Sequence, residues 1–494
     1  MDTYNYPSAN LPEISVPENG YMIYPDAGYQ EGYRGSPVSD RPRLIRILIV
    51  FSFALAGDIS SALYGNWIFA IVGFVITMLF ALLILRAWEM ILLTCFLMMI
   101  NGLHVWIDTS LNIFNEPFGY KALKDIIVLG LILAKIKCTK ERWQVSPPLL
   151  LTFFPWALYA IAHAVINPGV IPLTGVQLRY VVVFICLVFF ISSALDNERK
   201  VDALFRVFCS AAVMLILLGF YELITNRQTY TSGYVSYGPI TQRMVSAVGS
   251  PNGLGLFLQF PFLYLISRRF MLTRFQRKWW EFPVLLLIIA GMLVTFSRSA
   301  ILFGGVGVIV IAASARNFRA VFIVAIIGTM FPILFNIMLS ARGPMAALGG
   351  RPEALVHFFG KSLEEGSLLF GNGWGSGIVV TFERVSGEVT DNFQMDLIRK
   401  VGIVGLFFWE AIIVEVFIRG FRGRRDMISP TGKQMYAMLL ALYIVFICYS
   451  FVSPVFNLAI GSLFYWILMG VWMNLSQMEQ IENQLQYNYM IPAE

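Results

Sequence analysis

The chain has 494 residues, of which 57% are hydrophobic, 15% aromatic and only 13% charged, and its mean hydropathy is +0.70. Soluble globular proteins are about 25% charged, so these values exclude a soluble domain and define a polytopic membrane protein. The net charge of +6 is dispersed in short loops between apolar segments, as orientation in a bilayer requires, and does not mark a nucleic-acid surface.

Residues 1–43 read as a disordered cytoplasmic tail. The first 40 are polar and Pro-rich, with six acidic residues against Arg34 alone and tyrosines at 4, 6, 21, 24, 29 and 33. They lack the basic start, short apolar core and cleavage site of a signal peptide, so the first hydrophobic helix is expected to direct insertion. A transmembrane helical domain is expected from 44 to 475 and a cytoplasmic C-terminal tail from 476 to 494. Apolar runs of about 20 residues cross the hydrocarbon as helices. Fourteen start near residues 44, 66, 88, 121, 147, 172, 201, 250, 281, 299, 318, 400, 434 and 456. The short run KALKDIIVLGLILAKIK and the near absence of a connection at Arg298 widen the count to 12–14. The expected fold is therefore an all-α polytopic membrane protein.

Lys and Arg beside short apolar segments stay in the cytoplasm. KIKCTKER (135–142), NERK (197–200), RRFMLTRFQRK (268–278), RNFR (316–319) and RGFRGRR (419–425) all fall on one side under the fourteen-helix count. Both termini are then cytoplasmic, and the turn at Arg298 faces outward. So does the one long loop, 341–391, between the eleventh and twelfth spans. Within it, RPEALVHFFGKSLEE has Pro352 in a first-turn position and apolar residues at helical spacing, which predicts a short amphipathic helix. The GNGWGSG that follows is glycine-dense and lets the backbone approach a neighbouring surface closely.

The five cysteines are scattered, four of them in apolar runs, and read as small core residues. No two of the three histidines share ligand spacing, so neither metal nor cofactor is implied.

Arginine is the informative residue. Arg298, in TFSRSA, sits between two apolar runs, where a guanidinium near mid-membrane costs roughly 3 kcal/mol and less toward the interface. It either caps a tight turn and snorkels to headgroups or has a functional partner. Arg243 precedes Gly249, Ser250, Pro251 and Asn252, a helix-start signal with Ser or Asn as cap, whose N–H groups favour an anion. Arg351 precedes the loop helix, and Arg179 lies about a third of the way into a span from its outer end. Four arginines and a helix start on one face suit a diphosphate, whose oxygens guanidinium forks bind bidentately. A diphosphate held in a membrane is carried by a lipid.

TQRMVSAVGSPNGLG (241–255), TFSRSAILFGG (295–305), GGRPEALVHF (349–358), LLFGNGWGSG (368–377) and DNFQMDLIRKVGIVGLFFW (391–409) occur in that order. In these motifs and in the place of its long loop, the chain resembles the polysaccharide repeat-unit polymerases and O-antigen ligases of bacterial envelopes over roughly residues 170–425. The resemblance implies an inverting, metal-independent glycosyltransferase at the periplasmic face of the inner membrane. Its donor and acceptor are undecaprenyl-diphosphate-linked oligosaccharides. Chain-length regulators, export proteins and membrane lipids are the further partners implied. Arg298 and Arg243 match the arginines that hold the diphosphate, Arg351 matches a further loop arginine, and Arg179, Asn252 and Asn392 join the substrate-binding set. Ligases resemble a His-Asn start to the helix after the long loop. This chain has Asp391 and Asn392 there, which favours a polymerase, leaving a ligase or a transporter as alternatives.

Such a transfer builds charge on the leaving phosphate, where arginines act in the transition state, and it uses a carboxylate as base. Asp391 is the first candidate and Glu353, Glu383 and Glu388 are alternatives; Asp391 is equally suited to cap the helix. Trp374 and Phe382, with Tyr234 and Tyr237, suit sugar faces or an interfacial belt.

Overall fold

The computed structural model describes residues 150–167, 171–186, 194–225, 250–317, 366–374, 392–457 and 459–490, with shorter pieces between 85–95, 188–189, 244–248, 360–364 and 379–386. The chain divides into two units, 1–49 and 50–494, and all described residues belong to the second. The tail, the runs starting near 44, 66, 121 and 318, Arg243, Arg351, Asp391, Tyr234, Tyr237, Phe382, Glu353, Glu383 and Glu388 lie outside them, as does most of the expected loop helix.

The described residues are almost entirely helical. In chain order they form α1 (Phe153–Ile166), α2 (Ile171–Leu178), which continues through a π turn at Arg179–Val183 into Phe184–Cys186, α3 (Glu198–Thr225), α4 (Pro251–Met271), α5 (Glu281–Val294) and α6 (Arg298–Ser314). A small hairpin, β1 (Val379–Thr381) antiparallel to β2 (Arg384–Ser386), precedes α7 (Phe393–Arg422), α8 (Pro430–Ser450) and α9 (Ala459–Met490). The hairpin falls in the long loop, where no strand was expected. Among the described residues, three helices are long and apolar enough to cross a membrane: Glu198–Thr225, Phe393–Asp426 and Pro430–Ser450.

Local chemistry sets the helix starts. Ser250 caps α4, accepting from Gly253 N at 3.3 Å, with Pro251 in the first turn; Ser429 caps α8 in the same way through Gly432 N at 2.8 Å, with Pro430 behind it. The last helix continues to Met490 through the segment expected as a tail, and Met478 and Glu479 on it are buried. Glu479 explains the extension, because its carboxylate accepts from Ile428 N at 2.6 Å and Ser429 N at 2.5 Å at the start of α8.

Charge gathers at one end of the bundle. Asp202 on α3 accepts from Arg206, Tyr264 and Arg268, while Arg268 Nε also donates to Glu281 Oε1 at 2.8 Å on α5. Ser429 donates to Glu198 Oε1 at 3.0 Å, and Glu415 on α7 accepts from Thr152 N at 2.9 Å ahead of α1. These bonds bring NERK, RRFMLTRFQRK and RGFRGRR to a common end. We call it the basic end.

The core between the ends is aromatic and dense. Phe208, Phe257, Phe260, Phe446 and Phe464 interlock with centroids 4.9–6.4 Å apart. Small residues let the helices close on one another: a methyl added at Gly255 on α4 would lie 2.7 Å from Ala300 Cβ on α6. Among the described cysteines, Cys95 and Cys209 are buried and Cys186 and Cys448 partly so; all four are free thiols. Apolar residues such as Leu158, Val165, Leu217 and Phe407 are left exposed, as lipid contact requires.

Candidate functional site

At the end opposite the basic one, a tight reversal delivers Arg298. α5 stops at Val294 and α6 starts at Arg298, so only Thr295, Phe296 and Ser297 connect them. Phe296 adopts φ +48°, a left-handed conformation that costs a bulky residue on the order of 1–3 kcal/mol. Thr295 Oγ1 supports the turn, donating to Met292 O at 2.7 Å and accepting from Ser297 N at 3.2 Å. Ser297 then caps α6, accepting from Ala300 N at 3.4 Å. The resulting first turn of α6 begins with the partly buried Arg298.

One helix meets this turn directly, and two more connect to it in series. Ser297 Oγ donates to Asn252 Oδ1 at 3.1 Å, fixing the first turn of α4 against it, and stands 3.1 Å from Ser299 Oγ. Phe303 packs on Tyr449, the last turn of α8, with centroids 5.1 Å apart. Ser450, next along α8, accepts from Gln394 Nε2 at 2.6 Å, which brings in the first turn of α7. The starts of α4, α6 and α7 therefore share one end of the bundle, and their macrodipoles place positive ends together there. Met244, the residue after Arg243 in sequence, donates its amide to Val294 O at 3.2 Å. Ser246 follows, its amide donating to the buried Glu222 carboxylate at 3.0 Å.

Several expected site residues take other roles or positions. The α7 cap is Asn392, whose Oδ1 accepts from Met395 N at 3.1 Å; the cap expected of Asp391 thus falls one residue later. Arg179 opens the π turn that continues α2. Trp374 requires a correction. It is fully buried, donates its indole N–H to Ala160 O at 3.0 Å and packs edge-on against Trp156, so it anchors the loop to α1 and offers no face to a sugar.

The glycine-rich loop docks into a break in α7. Gly402 has φ 72° and ψ −178°, which interrupts the helix. In an unbroken helix Ile403 N and Val404 N would donate to Arg399 O and Lys400 O. Here the loop takes all four groups. Ile403 N donates to Leu368 O at 3.0 Å and Val404 N to Leu369 O at 3.3 Å, while Asn372 N donates to Arg399 O at 2.8 Å and Gly373 N to Lys400 O at 3.0 Å. His163 Nε2 lies 2.6 Å from Phe370 O and holds the same loop from α1.

Beside the break lies a charged group that sequence reading missed. Asp396 and Lys400 are 2% and 5% exposed and form an ion pair one turn apart, and Lys400 Nζ also donates to Gln177 Oε1 at 3.1 Å on α2. Arg399 completes the cluster, 3.5 Å from Asp396. The available signal was an acid and a base four residues apart inside DLIRKVG, just before a mid-helix glycine. Among the described residues, no group of three or more His, Cys, Asp or Glu side chains is placed to hold a metal ion.

No protein-family model matches the chain, and no curated protein matches it at a significant level.

Proposed function

We propose that the chain is a fourteen-span glycosyltransferase of the bacterial inner membrane, with both termini cytoplasmic. It polymerises oligosaccharide repeat units carried on undecaprenyl diphosphate at the periplasmic face. The observation that carries this reading is that Arg298 and the starts of α4, α6 and α7 share the end of the bundle opposite the basic loops. Positive helix ends and a guanidinium in a setting of low dielectric select a compact polyanion. Apolar flanks supply the path for the polyprenyl tail.

In the proposed reaction the acceptor sugar's hydroxyl oxygen bonds to the donor's anomeric carbon with inversion. The carbon–oxygen bond to the diphosphate breaks, and its electron pair stays on the phosphate oxygen. Arg298 and Arg243 stabilise the charge that grows there, with Arg351 and Arg179 holding the remaining phosphate oxygens and Asn252 supporting the α4 start. Asp391 takes the hydroxyl proton, and Asn392 holds the helix start behind it. Donor and acceptor are both lipid-linked, which makes the enzyme a polymerase.

The test supplies purified protein with a lipid-diphosphate-linked oligosaccharide alone. A ladder of dimers and longer products with release of undecaprenyl diphosphate is expected. An unchanged substrate would refute polymerisation, and movement of substrate across liposomes without elongation would assign a transporter.

A further inference from the structure

At the basic end, beyond the proposed reaction site, Arg422, Arg424 and Arg425 line a cavity of about 520 Å³ with Phe421. That volume lies within the roughly 300–1,000 Å³ of small-ligand sites. Four other described cations at this end are paired with carboxylates: Lys200 with Asp196, Arg206 with Asp202, Arg268 with Asp202 and Glu281, and Arg419 with Glu415. Among the described residues, none holds Arg422, Arg424 or Arg425 in an ion pair. Three guanidiniums on one cavity repel each other, and an anion between them relieves that repulsion.

The helix leading to this cavity supplies the second half of the site. Phe407, Val414, Ile418 and Phe421 are exposed at 70%, 53%, 41% and 42%. Their spacing of seven, four and three residues puts them in one stripe along α7. At 1.5 Å per residue the stripe is about 21 Å long, more than the roughly 15 Å of hydrocarbon in one leaflet. It ends where the arginines begin. The opposite face of the helix is closed, because Gly420 packs directly on the Trp472 ring. The geometry points to a binding site for an anionic phospholipid, with its phosphate among Arg422, Arg424 and Arg425 and its acyl chains along the exposed stripe.

The test uses the full-length protein, stripped of lipid in detergent and titrated with phosphatidylglycerol or phosphatidylcholine, with bound lipid counted by native mass spectrometry. Phosphatidylglycerol is expected to bind at least about 10-fold more tightly. The triple variant R422Q/R424Q/R425Q is expected to lose about 100-fold and R424Q alone about 5-fold, from the usual value of a basic side chain at an anionic surface. These side chains are exposed, so a melting temperature equal to wild type is expected. R206Q, on α3 at the same end, is the control and is expected to change binding less than twofold. Equal binding of the two lipids, or an equal loss from R206Q and R424Q, would overturn the site. Complete displacement of lipid by millimolar inorganic phosphate would overturn the lipid assignment in favour of a free anion.

Discussion

Cells carrying Arg298→Ala are expected to make no long-chain polysaccharide, to accumulate single repeat units on their lipid carrier, and to hold the protein in the membrane at its normal level. Arg298 belongs to the first turn of α6, while the stability of that turn resides in Ser297, Thr295 and Asn252, which hold it by side-chain and backbone hydrogen bonds. Those bonds remain when the guanidinium is removed. Removing one preorganised donor from a site of developing charge typically costs about 10²–10³ in rate. Arg298→Lys is expected to recover only part of the activity, because an ammonium lacks the fork that takes two phosphate oxygens. Gel separation of the polysaccharide and mass analysis of the lipid-linked pool read both effects. Normal chain lengths in Arg298→Ala would contradict the proposed role.

The second large effect is expected at Gly402. Its conformation, φ 72° and ψ −178°, is nearly closed to residues with a side chain, and a Cβ there would lie 2.0 Å from Leu369 O. Alanine also favours an unbroken helix over glycine by about 1 kcal/mol. Gly402→Ala therefore opposes the docked loop twice, through the clash and through the helix it promotes. In the straightened helix, Ile403 N and Val404 N recover Arg399 O and Lys400 O, and the loop loses its four backbone partners. Together these effects disfavour docking by about 3 kcal/mol or more, roughly a 100-fold change in the docking equilibrium. Hydrogen exchange across 366–374 is expected to accelerate accordingly, while α4 and α8 keep their protection. Unchanged exchange in the loop would contradict the clasp. Gly371, φ +74° with a Cβ position 2.5 Å from Lys400 O, makes the same demand from the loop's side.

Much of the helical layout was legible because apolar runs report directly on hydrocarbon burial. The runs near 250, 281 and 299 start within one residue of α4, α5 and α6. There, Ser-Pro and the SRS turn carry the cap chemistry in the sequence itself. The run near 400 begins seven residues late, since the first turns of α7 contain Gln394, Asp396 and Lys400, polar residues that are helical and buried. Hydropathy cannot see a helix continue where its polar residues are buried against partners distant in the chain. Glu479 on α9 illustrates the same limit at the other terminus.

The site was legible to a lesser degree. Arg298 stands out in sequence because it is costly among apolar neighbours. Asp396 and Lys400 cancel each other within a segment already noted for other reasons, and their burial depends on Gln177, more than 200 residues away in the chain. Trp374 illustrates the converse. An aromatic in a glycine-rich loop looks available to a sugar until Ala160, 214 residues distant, is found to accept its N–H. Asp391 and Asn392 are both good caps, and only backbone geometry selects the second.

The central claim is that the Arg298 end grips a lipid diphosphate. Equilibrium titration of purified wild-type and Arg298→Ala protein with undecaprenyl diphosphate, alongside undecaprenol lacking phosphate, tests it most directly. The account predicts that wild type prefers the diphosphate and that the substitution weakens it about 10- to 100-fold, as a lost charged hydrogen bond requires, with undecaprenol unaffected. Equal affinity of both proteins for the diphosphate would contradict it.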